Sequence, residues 1–338
     1  MGEHEKSTIP SMTVGELLQD DAAASLNLVL VSGGDGIDNI VDRPRIQKPG
    51  LALAGFLEHI HPGRVQVLGK SETSFLNERA PAERSRIVSQ LCRQGVSCFV
   101  LTTGLEPPAE LMDETERHGV PLLRTELSSA TTIERLTRYL EDRLAPRTVV
   151  HGVFLDVYGL GVLLIGDSGV GKSECAIELV VRGHRLVSDD VVEIKQMGDH
   201  LVGTGPTLTR YHMELRGVGI INVKDLFGVA SVRLTKFIEY VIKLDPWKPG
   251  KKYDRLGLDD NGHQILGITL PYVEMPVGPG RNLSVLIEVA ARHHLLKLMG
   301  YHPARELAHR LRERIQTPVD EAAGGTIANR EPDDGEIR

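Results

Sequence analysis

The stretch Gly166-Asp167-Ser168-Gly169-Val170-Gly171-Lys172-Ser173 decides the fold. It satisfies the pattern G-x-x-x-x-G-K-[ST], a loop whose backbone N–H groups wrap phosphate while the lysine and the hydroxyl serve the phosphates and their cation. Its flanks have the right character. Residues 161–165 (Gly-Val-Leu-Leu-Ile) form a short apolar run of buried-strand type. From Ser173 the pattern turns helical, with Cys175, Ala176, Leu179 and Val180 on one face and Gly183 as a stop. The loop is therefore expected to join a strand to a helix N-terminus, where free N–H groups and the helix dipole attract phosphate. A chance match to the spacing would not carry this strand–loop–helix context.

The chain has 338 residues, enough for two domains or one large one. Its 41% hydrophobic and 25% charged content is ordinary for a globular protein. A net charge of -7 gives no support for non-specific nucleic-acid binding. Cys92, Cys98 and Cys175 have neither zinc nor redox spacing and read as buried thiols in a reducing compartment. The first residues lack the apolar core of a signal peptide, and no apolar run reaches membrane-spanning length. A cytoplasmic protein with neither membrane nor nucleic acid as a partner is expected.

Residues 1–10 read as a frayed start. Strands are then predicted over 27–34, 64–69, 97–102 and 120–123. They alternate with helices over 11–18, 51–59, 81–94, 107–119 and 128–144. This rhythm describes a small α/β domain. It has no glycine-rich phosphate loop, and Gly33-Gly34-Asp35-Gly36 reads as a turn, so a regulatory or architectural role is expected. Ala145-Pro146-Arg147 closes it, because proline stops helices. The expected division is 1–144, then a catalytic domain over 145–316, then a disordered acidic tail over 317–338.

In the second domain, residues 149–157 read as one strand with His151, Val153, Leu155 and Val157 on one face. The link Tyr158-Gly159-Leu160-Gly161 is too short for a crossover helix, so this strand should pair antiparallel with the phosphate-loop strand. That departs from a standard doubly wound domain. Ser188-Asp189-Asp190 lies between apolar segments, and strand alternation sends its two carboxylates to opposite faces. A metal or catalytic role is the better account of such a pair, with separate jobs for the two. Glu214-Leu215-Arg216-Gly217-Val218-Gly219-Ile220-Ile221-Asn222-Val223 contains a Gly-x-Gly whose backbone should approach something closely. Further strands are expected over 232–244, 265–270 and 285–289. A basic loop is expected over 246–260, and a basic helical region over 290–315 broken near Gly300. His293, His294, His302 and His309 lack helical metal-site spacing and read as surface or packing residues.

The chemistry follows from these parts. Backbone N–H groups would hold the phosphates of ATP, Lys172 would neutralise charge, and the Ser173 hydroxyl would help hold Mg²⁺. Mg²⁺ wants further oxygen ligands, for which Glu214 and one of the Asp pair are candidates. Transfer to a hydroxyl needs a proton acceptor, either the other Asp or His151. Arg255 and Arg281 offer cations on loops. This points to a kinase or NTPase and leaves the acceptor open. A small-molecule kinase and a non-catalytic nucleotide switch both remain. The basic C-terminal helix argues against the first and the Asp pair against the second.

Taken in order, several stretches resemble the HPr kinase/phosphorylase family. They are residues 166–173, Ser188-Asp189-Asp190, residues 214–223, Tyr253-Asp254-Arg255-Leu256-Gly257-Leu258-Asp259 and Pro276-Val277-Gly278-Pro279-Gly280-Arg281. The run from Arg281 to Ala291 and Met299-Gly300-Tyr301 add to it. The segment 214–223 is the most specific. The resemblance is strong over about 145–315 and extends over 10–140 in length and α/β pattern. It implies a small N-terminal α/β domain and a C-terminal variant P-loop kinase domain with the phosphoenolpyruvate carboxykinase-type core.

It also implies a bifunctional enzyme acting on HPr, the small phosphocarrier of the sugar phosphotransferase system. ATP phosphorylates a serine of HPr, and inorganic phosphate removes the group again to give pyrophosphate. By matching positions, Asp190 would accept the serine proton, with His151 beside it. Lys172 would hold the β/γ-phosphates, Ser173 and Glu214 would bind Mg²⁺, and Arg255 would stabilise the transferring group. Residues 276–281 would serve phosphorolysis. A homohexamer is implied, with C-terminal helices near bound HPr, which the basic stretch 305–314 would suit. Val218 stands where the family often has leucine, and the tail after Thr317 lies outside the pattern.

Overall fold

The short apolar runs of the first 144 residues assemble side by side. In the computed structural model, which describes residues 10–251, 253, 262–303, 306 and 310, strands Val65–Leu68, Cys98–Leu101 and Leu122–Arg124 run parallel. Val29–Ser32 completes the sheet antiparallel to Leu122–Arg124. Cys98–Leu101 is buried along its whole length, as a strand covered on both faces must be. Its alternating side chains feed two cores. Phe99 and Leu101 pack with Ile87, Leu91 and Leu111 of the helices Pro81–Cys92 and Ala109–His118. Cys98 and Val100 pack with Leu136 and Leu140 of the helix Ser129–Arg143. The β–α–β–α expectation holds here. One helix, Lys70–Asn77, was not announced by the pattern because it buries little apolar surface. Glu72 caps it by accepting from Gly69 N at 3.0 Å.

The second half is built on a six-stranded sheet. Its order is Arg185–Ser188, Val153–Val157, Leu160–Gly166, Tyr240–Pro246, Ile268–Val277, Gly262–Ile265. Val153–Val157 pairs antiparallel with Leu160–Gly166, as expected, across a turn in which Tyr158 (φ 55°) and Gly159 (φ 85°) are both left-handed. That is the conformation a two-residue hairpin demands. Leu160–Gly166, Tyr240–Pro246 and Ile268–Val277 run parallel. Helices Lys172–Val181 and Leu283–Leu298 pack on one face through Cys175, Ala176, Leu179, Ile287 and Ala291. A four-stranded sheet, Thr235–Phe237, His200–Thr204, Val191–Met197 and Arg147–His151, packs on the other through Val192, Ile194 and Leu201.

Four expectations need correction. Residues 149–157 are two strands, Arg147–His151 and Val153–Val157, in different sheets. The chain turns the corner at Gly152, whose N donates to Asp190 O at 2.9 Å. A Cβ there would stand 2.5 Å from Leu164 O, so glycine is required. His151 therefore does not share a face with Val153. Residues 232–244 likewise split into Thr235–Phe237 and Tyr240–Pro246. Residues 265–270 straddle a hairpin turn at Leu266 (φ 47°) and Gly267 (φ 79°).

The largest misreading is 285–289, which is helix within Leu283–Leu298. Val285, Ile287 and Val289 imitate strand alternation. Burial instead recurs at Ser284, Ile287, Glu288, Ala291 and His294, and Asn282 caps the helix by accepting from Val285 N at 3.0 Å. Arg255, most of residues 305–314 and the tail 317–338 lie outside the described residues.

Candidate active site

The three parallel strands send their C-terminal ends to one edge of the six-stranded sheet, and the phosphate loop leaves from the middle of that edge. The loop feeds directly into the helix Lys172–Val181, whose N-cap is Gly171 in a left-handed conformation. First-turn N–H groups are thus free to meet an anion. Lys172 folds back on the loop, its Nζ donating to Gly166 O at 2.8 Å and Asp167 O at 3.0 Å.

The adjacent carboxylates part company. Asp189 is 8% exposed. Its Oδ1 accepts from Ser173 Oγ at 2.9 Å, and its Oδ2 accepts from Glu214 N at 3.4 Å. Burial pushes its carboxyl above the usual range, against the opposing pull of the Ser173 hydrogen bond. No cationic side chain pairs with it among the described residues. Asp190 sits at φ 66° and turns its side chain, 83% exposed, to the opposite side. Its Oδ1 lies 3.9 Å from His151 Nδ1, because Val191 stands in register with His151 in the four-stranded sheet. The divergence arises from this backbone turn and not from strand alternation.

Residues 214–223 form most of a hairpin, His212–Leu215 against Gly219–Asn222. Met213 and Val223 anchor it in the core. Alternation leaves Glu214 pointing outward, and Arg216 follows on the turn. The Arg216 guanidinium lies against the crest of the phosphate loop: a Cβ on Gly169 would be 3.0 Å from Nη2. Arg216 is exposed and meets no carboxylate among the described residues. Sequence alone gives Arg216 no role. The available signal was its charge beside the Gly-x-Gly.

The loop 276–281 continues from Ile268–Val277, alongside Tyr240–Pro246, and is pinned where Trp247 N donates to Val277 O at 2.8 Å. Arg281 closes its own loop by donating to Pro276 O at 2.9 Å. The basic loop starts on a tether. Lys251 donates to Asp245 at 3.1 Å and pairs with Glu274 at 2.8 Å, and both carboxyls are held below the usual range with the Lys251 hydrogen bond as the leading cause. Lys251 is therefore engaged and not simply solvated.

Two family models match, HPr Serine kinase N terminus over residues 12–140 and HPr Serine kinase C-terminal domain over residues 142–311. The chain belongs to the HPr serine kinase family. A relative from Geobacter sulfurreducens, named HPr kinase/phosphorylase, is 52% identical over 307 residues, covering 90% of this chain and 96% of that protein. The protein of the same name from Bacillus subtilis is 44% identical over 297 residues, covering 88% and 96%. The solved Hpr(Ser) kinase/phosphatase from Coxiella burnetii is 37% identical and covers 49% of this chain and 99% of that chain, with a TM-score of 0.43. Both parts of the HPr serine kinase architecture are thus present, and they meet just before Ala145-Pro146-Arg147. No helix among the described residues is long and apolar enough to cross a membrane.

Proposed function

We propose that this HPr serine kinase is a bifunctional enzyme that phosphorylates a serine of HPr with ATP and removes the group by phosphorolysis. The observation that carries the reading is one sheet edge bearing both a phosphate loop and, on its own short turn, the exposed Asp190 beside His151. The loop N–H groups and Lys172 hold the donor phosphates, with Lys172 exchanging its carbonyl partners for phosphate oxygens. Asp190 accepts the proton of the attacking serine hydroxyl. In the reverse direction inorganic phosphate attacks phosphoserine, pyrophosphate forms, and protonated Asp190 returns the proton to the departing serine oxygen. His151 tunes that carboxylate. Arg216, Arg255 and Arg281 supply positive charge around the transferring group, and residues 276–281 serve the phosphorolytic direction.

The residues fit Mg²⁺. Asp189 is a buried carboxylate with a hydroxyl and a backbone N–H as partners and no cation among the described residues, the environment a divalent ion relieves. Ser173, Asp189 and Glu214 would hold the ion together with phosphate oxygens. When bound it neutralises phosphate charge. The same reading divides the chain at 1–144, 145–316 and a tail 317–338, in keeping with apolar cores that stay on either side of Ala145-Pro146-Arg147. It places the enzyme in the cytoplasm as a homohexamer. The exposed Val289 and Leu298 on the helix Leu283–Leu298, with Met299 just after it, offer a surface for HPr or a neighbouring copy.

The test is direct. The protein is incubated with γ-labelled ATP, Mg²⁺ and purified HPr, and the label is traced. Phosphoserine on HPr is expected, followed by release of label as pyrophosphate when unlabelled phosphate is added. Label on a small metabolite with HPr untouched would overturn the reading in favour of a small-molecule kinase.

A further inference from the structure

ATP brings more than phosphates to this edge. Its nucleoside hangs from the α-phosphate and must lie off one end of the loop. An open cleft of about 460 Å³ begins there, at Gly171, within the roughly 300–1,000 Å³ usual for small-molecule sites. One wall is the first turns of Lys172–Val181, presenting Glu174, Cys175 and Glu178. The other is Gly280-Arg281-Asn282 and the start of Leu283–Leu298. At the floor Cys175 Sγ and Ser284 Oγ lie 3.6 Å apart, and burial pushes the thiol up to about 11, so the floor is uncharged. Glu178 Oε1 accepts from Asn282 Nδ2 at 3.2 Å, and its second oxygen is without a partner among the described residues.

We propose that this cleft holds the nucleoside of ATP, with Glu178 accepting the ribose hydroxyls. The chemistry selects the ligand part. A carboxylate only accepts, and a ribose diol offers two donors. Glu174 and Glu178 disfavour phosphate along one wall, and Arg281 on the other donates to Pro276 O, so the phosphates stay at residues 166–173 while the uncharged sugar enters the cleft. Glu178 lies six residues past Lys172, about 9 Å along the helix, within the span of a nucleoside leaving the α-phosphate. The inference rests on the site working as both kinase and phosphorylase, and it has a directional consequence. Phosphorolysis uses inorganic phosphate and no nucleoside, so Glu178 contributes to one direction only, while Gly280 and Arg281 on the facing wall belong to the loop assigned to phosphorolysis.

The experiment compares Mg²⁺-dependent binding of ATP, 2′-deoxy-ATP and inorganic tripolyphosphate to the full chain by calorimetry, and needs no turnover. ATP should bind about tenfold more tightly than tripolyphosphate, the scale of a charge-assisted hydrogen bond. Glu178→Ala should remove most of that gap, leave tripolyphosphate binding unchanged and lose the preference for ATP over 2′-deoxy-ATP. In turnover it should raise KM for ATP by about tenfold with phosphorolysis unaffected. Equal binding of ATP and tripolyphosphate to the unaltered protein overturns the proposal. So does a Glu178→Ala variant that weakens both ligands, or both directions, alike. If HPr is never labelled but the ATP–tripolyphosphate gap is present and depends on Glu178, the cleft stands and the HPr reading falls.

Discussion

Asp189 and Asp190 are neighbours in the chain and opposites in environment, one 8% exposed and bonded to Ser173, the other with a side chain 83% exposed and facing His151. Their substitutions should separate accordingly. Asp190→Asn keeps the shape and removes the proposed proton acceptor. Transfer should fall by about 10²–10⁴-fold in both directions, the usual contribution of a general base, while ATP affinity measured by calorimetry stays near that of the parent. A collapse of ATP affinity would instead make Asp190 a ligand-holding residue.

Asp189→Asn should weaken Mg²⁺-dependent ATP binding and yet not destabilise the ligand-free protein. Burial raises the folded-state pKa of Asp189 above its unfolded value, so its charged form costs stability at neutral pH, and that cost fades as pH falls through the raised pKa. The variant should therefore melt at or above the parent temperature at pH 7, by about 1 kcal/mol of stability. The advantage should shrink on acidification, and thermal melts across pH check it.

At the scale of elements, the phosphate-loop helix Lys172–Val181 is held at both ends. Its far end is fixed by Glu288 of Leu283–Leu298, which takes Arg182 Nη2 at 2.6 Å and His184 Nε2 at 2.9 Å. The Arg182 hydrogen bond, helped by His184 and opposed by burial, drives the Glu288 carboxyl down to about 2. A depressed acid stabilises the fold above its unfolded pKa and loses that contribution as pH falls through the folded one. Glu288→Gln should thus cost roughly 2–3 kcal/mol at pH 7. The difference from the parent should narrow below about pH 4 and vanish near pH 2, measured by denaturant unfolding. A constant difference at every pH would mean that packing, not charge, sets the effect.

This same helix marks the limit of what the sequence displays. The strand–loop–helix around Gly166 and the tight hairpin at Tyr158-Gly159 were legible because their signals are local: fixed spacing, left-handed turn residues, a helical stripe. Residues 285–289 were misread because an apolar β-branched run has the same local look in a buried helix as in a strand. The break at Gly152 was hidden because its cause is Leu164 O, a contact across the sheet. The approach of Arg216 to the loop was hidden likewise, since only the folded hairpin carries it to Gly169. His151 and Asp190 were joined in advance by family resemblance alone. Their approach depends on the register of Arg147–His151 against Val191–Met197, which composition does not encode.

Across the whole molecule, the apolar clusters fall into two sets. Those built on Cys98–Leu101 end at Leu144, and those around the phosphate-loop sheet involve Val150 onward. Cooperative unfolding follows shared burial, so two units with separate cores should lose structure separately. Phe99 tests this. It is 0% exposed in the N-terminal core, and Phe99→Ala should cost about 3–5 kcal/mol there. For a unit of this size that lowers the N-terminal melting transition by roughly 10–20 °C. The transition of the phosphate-loop unit should stay in place, and ATP affinity below both transitions should be unchanged. Calorimetric scanning resolves the two transitions, and nucleotide protection identifies which belongs to the phosphate loop, because a ligand raises only the unit that binds it. A single transition that moves with Phe99→Ala and carries ATP binding with it would mean that the N-terminal unit is a structural part of the kinase site. In that case an architectural role would replace independence as the account of residues 12–140.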